Sequence, residues 1–148
     1  GFTGSHRGGR ALFNQAADRD EPIPVFAEMG SANPLVVLPK ALAARGSQIA
    51  EQVAASCLLA QGQFCTSPGI VLWLHGEGDE SFYVALRERL CSAPSGPTVH
   101  SSIRDSYERA MDDLSSLPVE VDRGTASAAP GVAEVCPALL RRSTAPRC

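Results

Sequence analysis

Residues 61–74 read QGQFCTSPGIVLWL, and the reading of this stretch decides the fold. Upstream, IAEQVAASCLLA (49–60) is helical in pattern, with Ile49, Val53 and Cys57 at four-residue spacing in a helix expected over 41–60. Pro68 and Gly69 end any helix close to Cys65. IVLWL (70–74) follows as a short apolar run expected to be a buried strand, and 79–91 returns to helical period with Phe82, Leu86 and Leu90 inward and Asp79 or Ser81 near its cap. Cys65 therefore falls in a loop between helix and strand, with glycine on both sides. That setting suits a reactive thiol. Burial as a small hydrophobe competes with it, and spacing leaves both open.

Towards the N-terminus, Phe2 is expected to end a strand, and Gly4, Ser5, Gly8 and Gly9 to form a turn into the helical stretch ALFNQAADR, with Leu12, Phe13, Ala16 and Ala17 as its stripe. Strand, glycine-rich turn and helix make a common anion-binding arrangement, because backbone N–H groups at the helix start point outward; glycines alone are a weak sign of it. PIPVFA (22–27) is expected as a short strand ending at Glu28-Met29-Gly30-Ser31, and LVVL (35–38) as another that stops at Pro39. A carboxylate at a strand's end is well placed as a general base, although an exposed polar terminus is the plainer reading of Glu28.

Beyond 91, SAPSGPTVHSS (92–102) is expected as loop and 103–117 as an amphipathic helix with Ile103, Tyr107, Met111 and Leu114 on one face. VEV (119–121) and EVCPALL (134–140) are strand-like, and 123–131 is a loose linker or hairpin. Strands alternating with helices imply an α/β architecture with a mostly parallel sheet and flanking helices.

The 148 residues have the length of one domain, with a formal net charge of −3 that offers no electrostatic reason to expect nucleic acid or an anionic membrane as partner. No apolar run reaches the ~20 residues of a membrane span, and no secretory signal is recognisable. Five cysteines, an odd number, fit reduced thiols and a cytoplasmic location better than a disulfide framework. No cysteine or histidine pair has zinc spacing, so no metal site is expected. His6, His75 and His100 lie in Gly- or Ser-rich stretches and are expected as exposed loop residues.

Three blocks in order resemble the aldehyde dehydrogenase superfamily: FTGS followed by glycines, PIPVFAEMGSANP, and GQFCTSPG. The first is similar to that family's cofactor turn, the second to its general-base strand (usually E-L-G-G), the third to its nucleophile loop, G-Q-x-C. E-M-G-S, F-C-T and the later PALLR most resemble the branch acting on a short semialdehyde, 2,5-dioxovalerate. The resemblance runs clearly from residue 1 to about 92 and more faintly to about 142. It implies a partial aldehyde dehydrogenase fold: residues 1–30 as the end of the cofactor domain and 31–148 as part of the catalytic domain, an internal piece of a longer enzyme. It implies Cys65 as nucleophile and Glu28 as base, with Thr3, Gly4, Ser5, Gly9, Met29 and Gly30 at an NAD or NADP cofactor. The substrate would be a small aldehyde, and the full-length enzyme a homo-oligomer. Ser31 stands where the family pattern has glycine, which is expected to narrow the approach to the cofactor. The lysine, the oxyanion asparagine and the E-x-F-G-P segment of the family have no counterpart here. A truncated, inactive relative serving as an interaction module, and a cofactor-free thiol esterase, are the alternatives.

Overall fold

In the computed structural model the described residues are 1–125, 134, 135 and 137–141. Strand β1 (Phe2–Gly4) leads through the N-cap Ser5 into helix α1 (His6–Ala17), and β2 (Ala27–Met29) returns parallel to β1 with Gly4 opposite Met29. Two expectations are corrected here. Gly8 and Gly9 belong to the first turns of α1 rather than to a preceding turn, because Ser5 caps the helix by accepting from the Gly8 N–H at 3.2 Å. Pairing in β2 starts only at Ala27, so 22–26 is not strand, and Ile23 and Phe26 are exposed. The α1 stripe is only partly covered: Ala16 is buried, whereas Leu12 and Phe13 are exposed.

The second unit is β3 (Pro34–Val37), α2 (Pro39–Leu58) and β4 (Ile70–Trp73), with β3 and β4 parallel and Pro34 opposite Ile70. Pro39 opens α2 rather than merely stopping the strand, since a proline in the first helical turn removes an N–H that has no partner there anyway. The helix is interrupted at Arg45 (φ −152°, ψ 34°). Helix α3 (Asp79–Cys91) packs against α2; Gly78 is its N-cap, with Asp79 and Ser81 in the first turn beside it as expected. Phe82, Leu86 and Leu90 face inward as their spacing requires, and with Val37, Leu42, Ala50, Val53 and Ala54 they form the core. Trp73 meets Phe82 edge-on, with ring centroids 5.3 Å apart.

β4 is not fully buried. Val71 and Trp73 pack on the core while Ile70 and Leu72 on the opposite face are exposed, because α2 and α3 cover one side of the β3–β4 pair. The C-terminal part is antiparallel: β5 (Gly96–Pro97) pairs with β7 (Glu134–Val135), and β6 (Glu120–Arg123) with β8 (Ala138–Arg141), flanking α4 (Ser101–Ser115). Among the described residues, parallel pairing is thus confined to the strand–helix–strand units. On α4, Met111 is buried while Ile103 and Leu114 are exposed. His6 opens α1, and His100 caps α4 by accepting from the Ser102 N–H, so neither is a free loop residue. Residues 126–131 of the expected linker lie outside the described residues, as do Cys136 and Cys148. Among the described residues no helix is long and apolar enough to cross a membrane.

Candidate active site

Glu28 is the central residue of β2, exposed, with Thr3 as its register partner. Together with Phe2, Thr3, Phe26 and Ala27 it lines an open hollow of about 490 Å³. Cys65 is also exposed, in the loop between α2 and β4. It precedes the amino end of β4, whereas Glu28 lies within β2.

The loop carrying Cys65 is held from two sides. On one, the Ser31 hydroxyl donates to the Cys65 carbonyl at 2.6 Å, and the Asn33 side-chain amide donates to the same carbonyl at 2.7 Å and to that of Ser67 at 3.0 Å. The Gly69 N–H adds a main-chain bond to the Ala32 carbonyl at 2.9 Å; a Cβ at position 69 would meet that oxygen at 2.9 Å, so the close approach requires glycine. Ser31's hydroxyl is thus engaged with the Cys65 loop. On the other side, Gln63 donates to the Pro97 carbonyl at 3.2 Å and accepts from the Val99 N–H at 2.9 Å. Its amide also reaches the Ala60 carbonyl at 2.9 Å.

These bonds hold an unfavourable backbone. Ala60 and Gln61 have φ of 49° and 59°, a left-handed conformation that costs a non-glycine residue roughly 1–2 kcal/mol. Gly62 continues it at φ 70°. Asn33 has φ 39°, where asparagine is better tolerated than most residues. Asn33 and the structural part of Gln63 were not singled out by sequence: their partners lie 32 to 36 residues away and leave no local pattern. The one signal was Asn33-Pro34 as a turn-forming pair.

Cys57 and Cys91 differ from Cys65. Burial pushes the Cys57 thiol up, and it points at the Pro68 carbonyl at 3.6 Å. Cys91 is pushed up by burial and then by the nearby Asp122 carboxylate. A raised thiol holds less thiolate at neutral pH, and the thiolate is the nucleophile. Cys65 is the exposed one of the three. A larger cavity of about 790 Å³ borders the loop at Gln63, Ser67 and Pro68, but it is lined mainly by apolar side chains and includes neither Cys65 nor Glu28.

The carboxyl ends of β1 and β2 lie side by side, with Thr3, Gly4, Ser5 and Gly30 exposed. The first amides of α1, at His6 and Arg7, have no acceptor within the helix, and no acidic side chain occupies its first turn. Such a terminus is electropositive, and its donors fit a phosphate-bearing cofactor. Gly9 is buried behind this edge: a Cβ there would stand 2.5 Å from the Met29 sulfur. Its lack of a side chain lets the Met29 side chain of β2 pack against α1.

A family model described as "Aldehyde dehydrogenase family" matches residues 1–117, so the chain belongs to the aldehyde dehydrogenase family. It is 43% identical over 129 residues to "Alpha-ketoglutaric semialdehyde dehydrogenase 2" of Azospirillum brasilense, covering 87% of this chain and 25% of that protein. It is 42% identical over 114 residues to "Alpha-ketoglutaric semialdehyde dehydrogenase" of Acinetobacter baylyi, covering 77% of this chain and 22% of the relative. Among solved structures, a NAD-dependent benzaldehyde dehydrogenase from Corynebacterium glutamicum superposes with a TM-score of 0.72 at 22% identity, over 94% of this chain and 31% of its own. The likeness establishes a partial α/β aldehyde dehydrogenase fold. The chain spans about a quarter of the length of the curated relatives it matches.

Proposed function

We propose that this chain supplies the nucleophile and the general base of an NAD- or NADP-dependent aldehyde oxidation. Cys65 is the nucleophile and Glu28 the base. The observation that supports this most is the stitching of the exposed Cys65 loop to the segment directly following Glu28, through Ser31 and Asn33.

The Cys65 thiolate adds to an aldehyde carbonyl, forming a C–S bond and an alkoxide on the former carbonyl oxygen. When bound, an NAD or NADP cofactor would be held against Thr3, Gly4, Ser5, Met29 and Gly30 with Gly9 behind them, and would supply a hydride acceptor. Loss of hydride from the thiohemiacetal leaves an acyl group on Cys65 as a thioester. Glu28 takes a proton from water, the resulting hydroxide attacks the acyl carbon, and the C–S bond breaks to release a carboxylic acid and the Cys65 thiolate, after which Glu28 returns its proton to solvent. No hydrogen bond is needed between thiol and carboxylate, since each acts on the acyl carbon.

A short semialdehyde such as 2,5-dioxovalerate is the substrate we favour, on the two relatives' names. The longer enzyme would act in the cytoplasm as a homo-oligomer, with residues 1–30 closing its cofactor domain and 31–148 opening its catalytic domain. Replacing Cys65 by alanine in the intact protein should abolish aldehyde-dependent reduction of NAD or NADP. Turnover at the wild-type rate would remove Cys65 from the nucleophile's role.

A further inference from the structure

We infer that Ser31 and Asn33 act as a pair of positioning residues for Cys65, an inference that rests on Cys65 being the nucleophile. Both donate to one acceptor, the Cys65 carbonyl oxygen, at 2.6 and 2.7 Å. A backbone carbonyl has two lone pairs, so these two donors saturate it and fix the plane of the peptide that follows the cysteine. The Asn33 amide further bridges to the Ser67 carbonyl at 3.0 Å and to the Ser31 oxygen at 3.3 Å, making one network across residues 31, 33, 65 and 67.

The network has a specific mechanical consequence. Cys65 is exposed and lies outside regular structure, so its side chain has no packed core to orient it. Its own carbonyl is anchored to the segment that continues from β2. Orientation of the sulfur is thereby coupled to the strand that carries Glu28, and a shift of either displaces both groups together. Reaction at one acyl carbon demands that arrangement, because misplacement by about 1 Å can cost on the order of a hundredfold in rate. A loop-stabilising role alone would explain the bonds from Gly69 to Ala32 and from Gln63 to Pro97 and Val99, which involve other parts of the loop. Two donors converging on the carbonyl of the reactive residue itself are an additional, separate constraint.

The test compares Ser31→Ala, Ser31→Thr, Asn33→Ala, Asn33→Asp and Cys65→Ala in the intact protein. Steady-state kcat and KM are measured with 2,5-dioxovalerate, in separate assays with NAD and NADP. Positioning predicts a fall in kcat of roughly tenfold for Ser31→Ala and for Asn33→Ala, with KM for the aldehyde within about twofold. Ser31→Thr keeps the hydroxyl and should recover most of the rate. Asn33→Asp keeps the shape but loses the donor, and should resemble Asn33→Ala. Because Ser31 is exposed, its alanine variant is expected to fold, and unchanged alkylation rates at Cys57 and Cys91 check that. Wild-type kcat in Ser31→Ala and Asn33→Asp, with Cys65→Ala inactive, would overturn the positioning role while leaving the nucleophile in place. Full activity in Cys65→Ala would overturn the nucleophile assignment and the positioning role with it.

Discussion

The Asn33 side-chain amide donates to the Cys65 carbonyl at 2.7 Å, joining the segment that follows the proposed base to the loop that carries the proposed nucleophile. Glu28 and Cys65 are 37 positions apart (65 − 28 = 37), one within β2 and the other in the loop before β4, and this cross-link, shared with Ser31, helps tie the two segments together.

Thiol reactivity should follow exposure. Cys65 is exposed, while burial raises the Cys57 and Cys91 thiols. Brief treatment with iodoacetamide at pH 7, read by peptide mapping, should modify Cys65 several-fold faster than the other two. Raising the pH should narrow the gap, because it fills the thiolate of the raised groups. Equal labelling of all three at pH 7 would show that the loop does not present its thiol as described.

Glycine at position 9 should matter more than glycine at position 30. A Cβ on Gly9 would stand 2.5 Å from the Met29 sulfur and 2.6 Å from its Cγ, whereas one on Gly30 would meet nothing within 4 Å. Overpacking typically costs about 1–3 kcal/mol, against about 1 kcal/mol gained by alanine within a helix. Urea titration of Gly9→Ala should therefore show a net loss of up to about 2 kcal/mol, with Gly30→Ala close to wild type. A stabilised Gly9→Ala variant would mean that Met29 moves aside freely.

Acid should loosen the contact between α3 and β6. The Arg87 guanidinium donates to Asp122 at 2.7 Å and the Tyr83 hydroxyl at 2.8 Å, and together they hold the Asp122 carboxyl below the usual carboxylate range. A carboxyl depressed on folding contributes stability that is present above its unfolded pKa, about 3.9, and is lost as pH falls through its folded value. Melting temperature should accordingly drop below about pH 4, and Asp122→Asn should lower it at pH 7 while flattening the acid limb. An acid limb identical in the two proteins would assign the loss to other carboxylates, such as Asp79 beside His75.

What was legible in the sequence was what short-range period encodes. The α3 face of Phe82, Leu86 and Leu90 follows from four-residue spacing, and the apolar run before Pro39 forms β3. The motifs around Glu28 and Cys65 marked both candidate residues and the family. What escaped depends on neighbours distant in the chain. Gly8 and Gly9 suggested a turn because glycine usually breaks helices; inside α1, Gly9 instead makes room for Met29. The run at 70–74 suggested burial on both faces, but whether a second layer covers Ile70 and Leu72 is not encoded in its own composition. Asn33 drew no attention because its hydrogen bonds to Cys65 and Ser67 leave no repeat to detect.

The proposed chemistry stands or falls on an acyl group passing through one sulfur. The most direct measurement is acid quenching of the Glu28→Gln variant of the intact protein, milliseconds after mixing with aldehyde and cofactor, followed by peptide mass spectrometry. The account predicts an acyl adduct on the peptide containing Cys65, accumulating with a burst of reduced cofactor because hydrolysis is slowed. Reduced cofactor formed at full burst with no adduct on that peptide, or with the adduct on another cysteine, would contradict it.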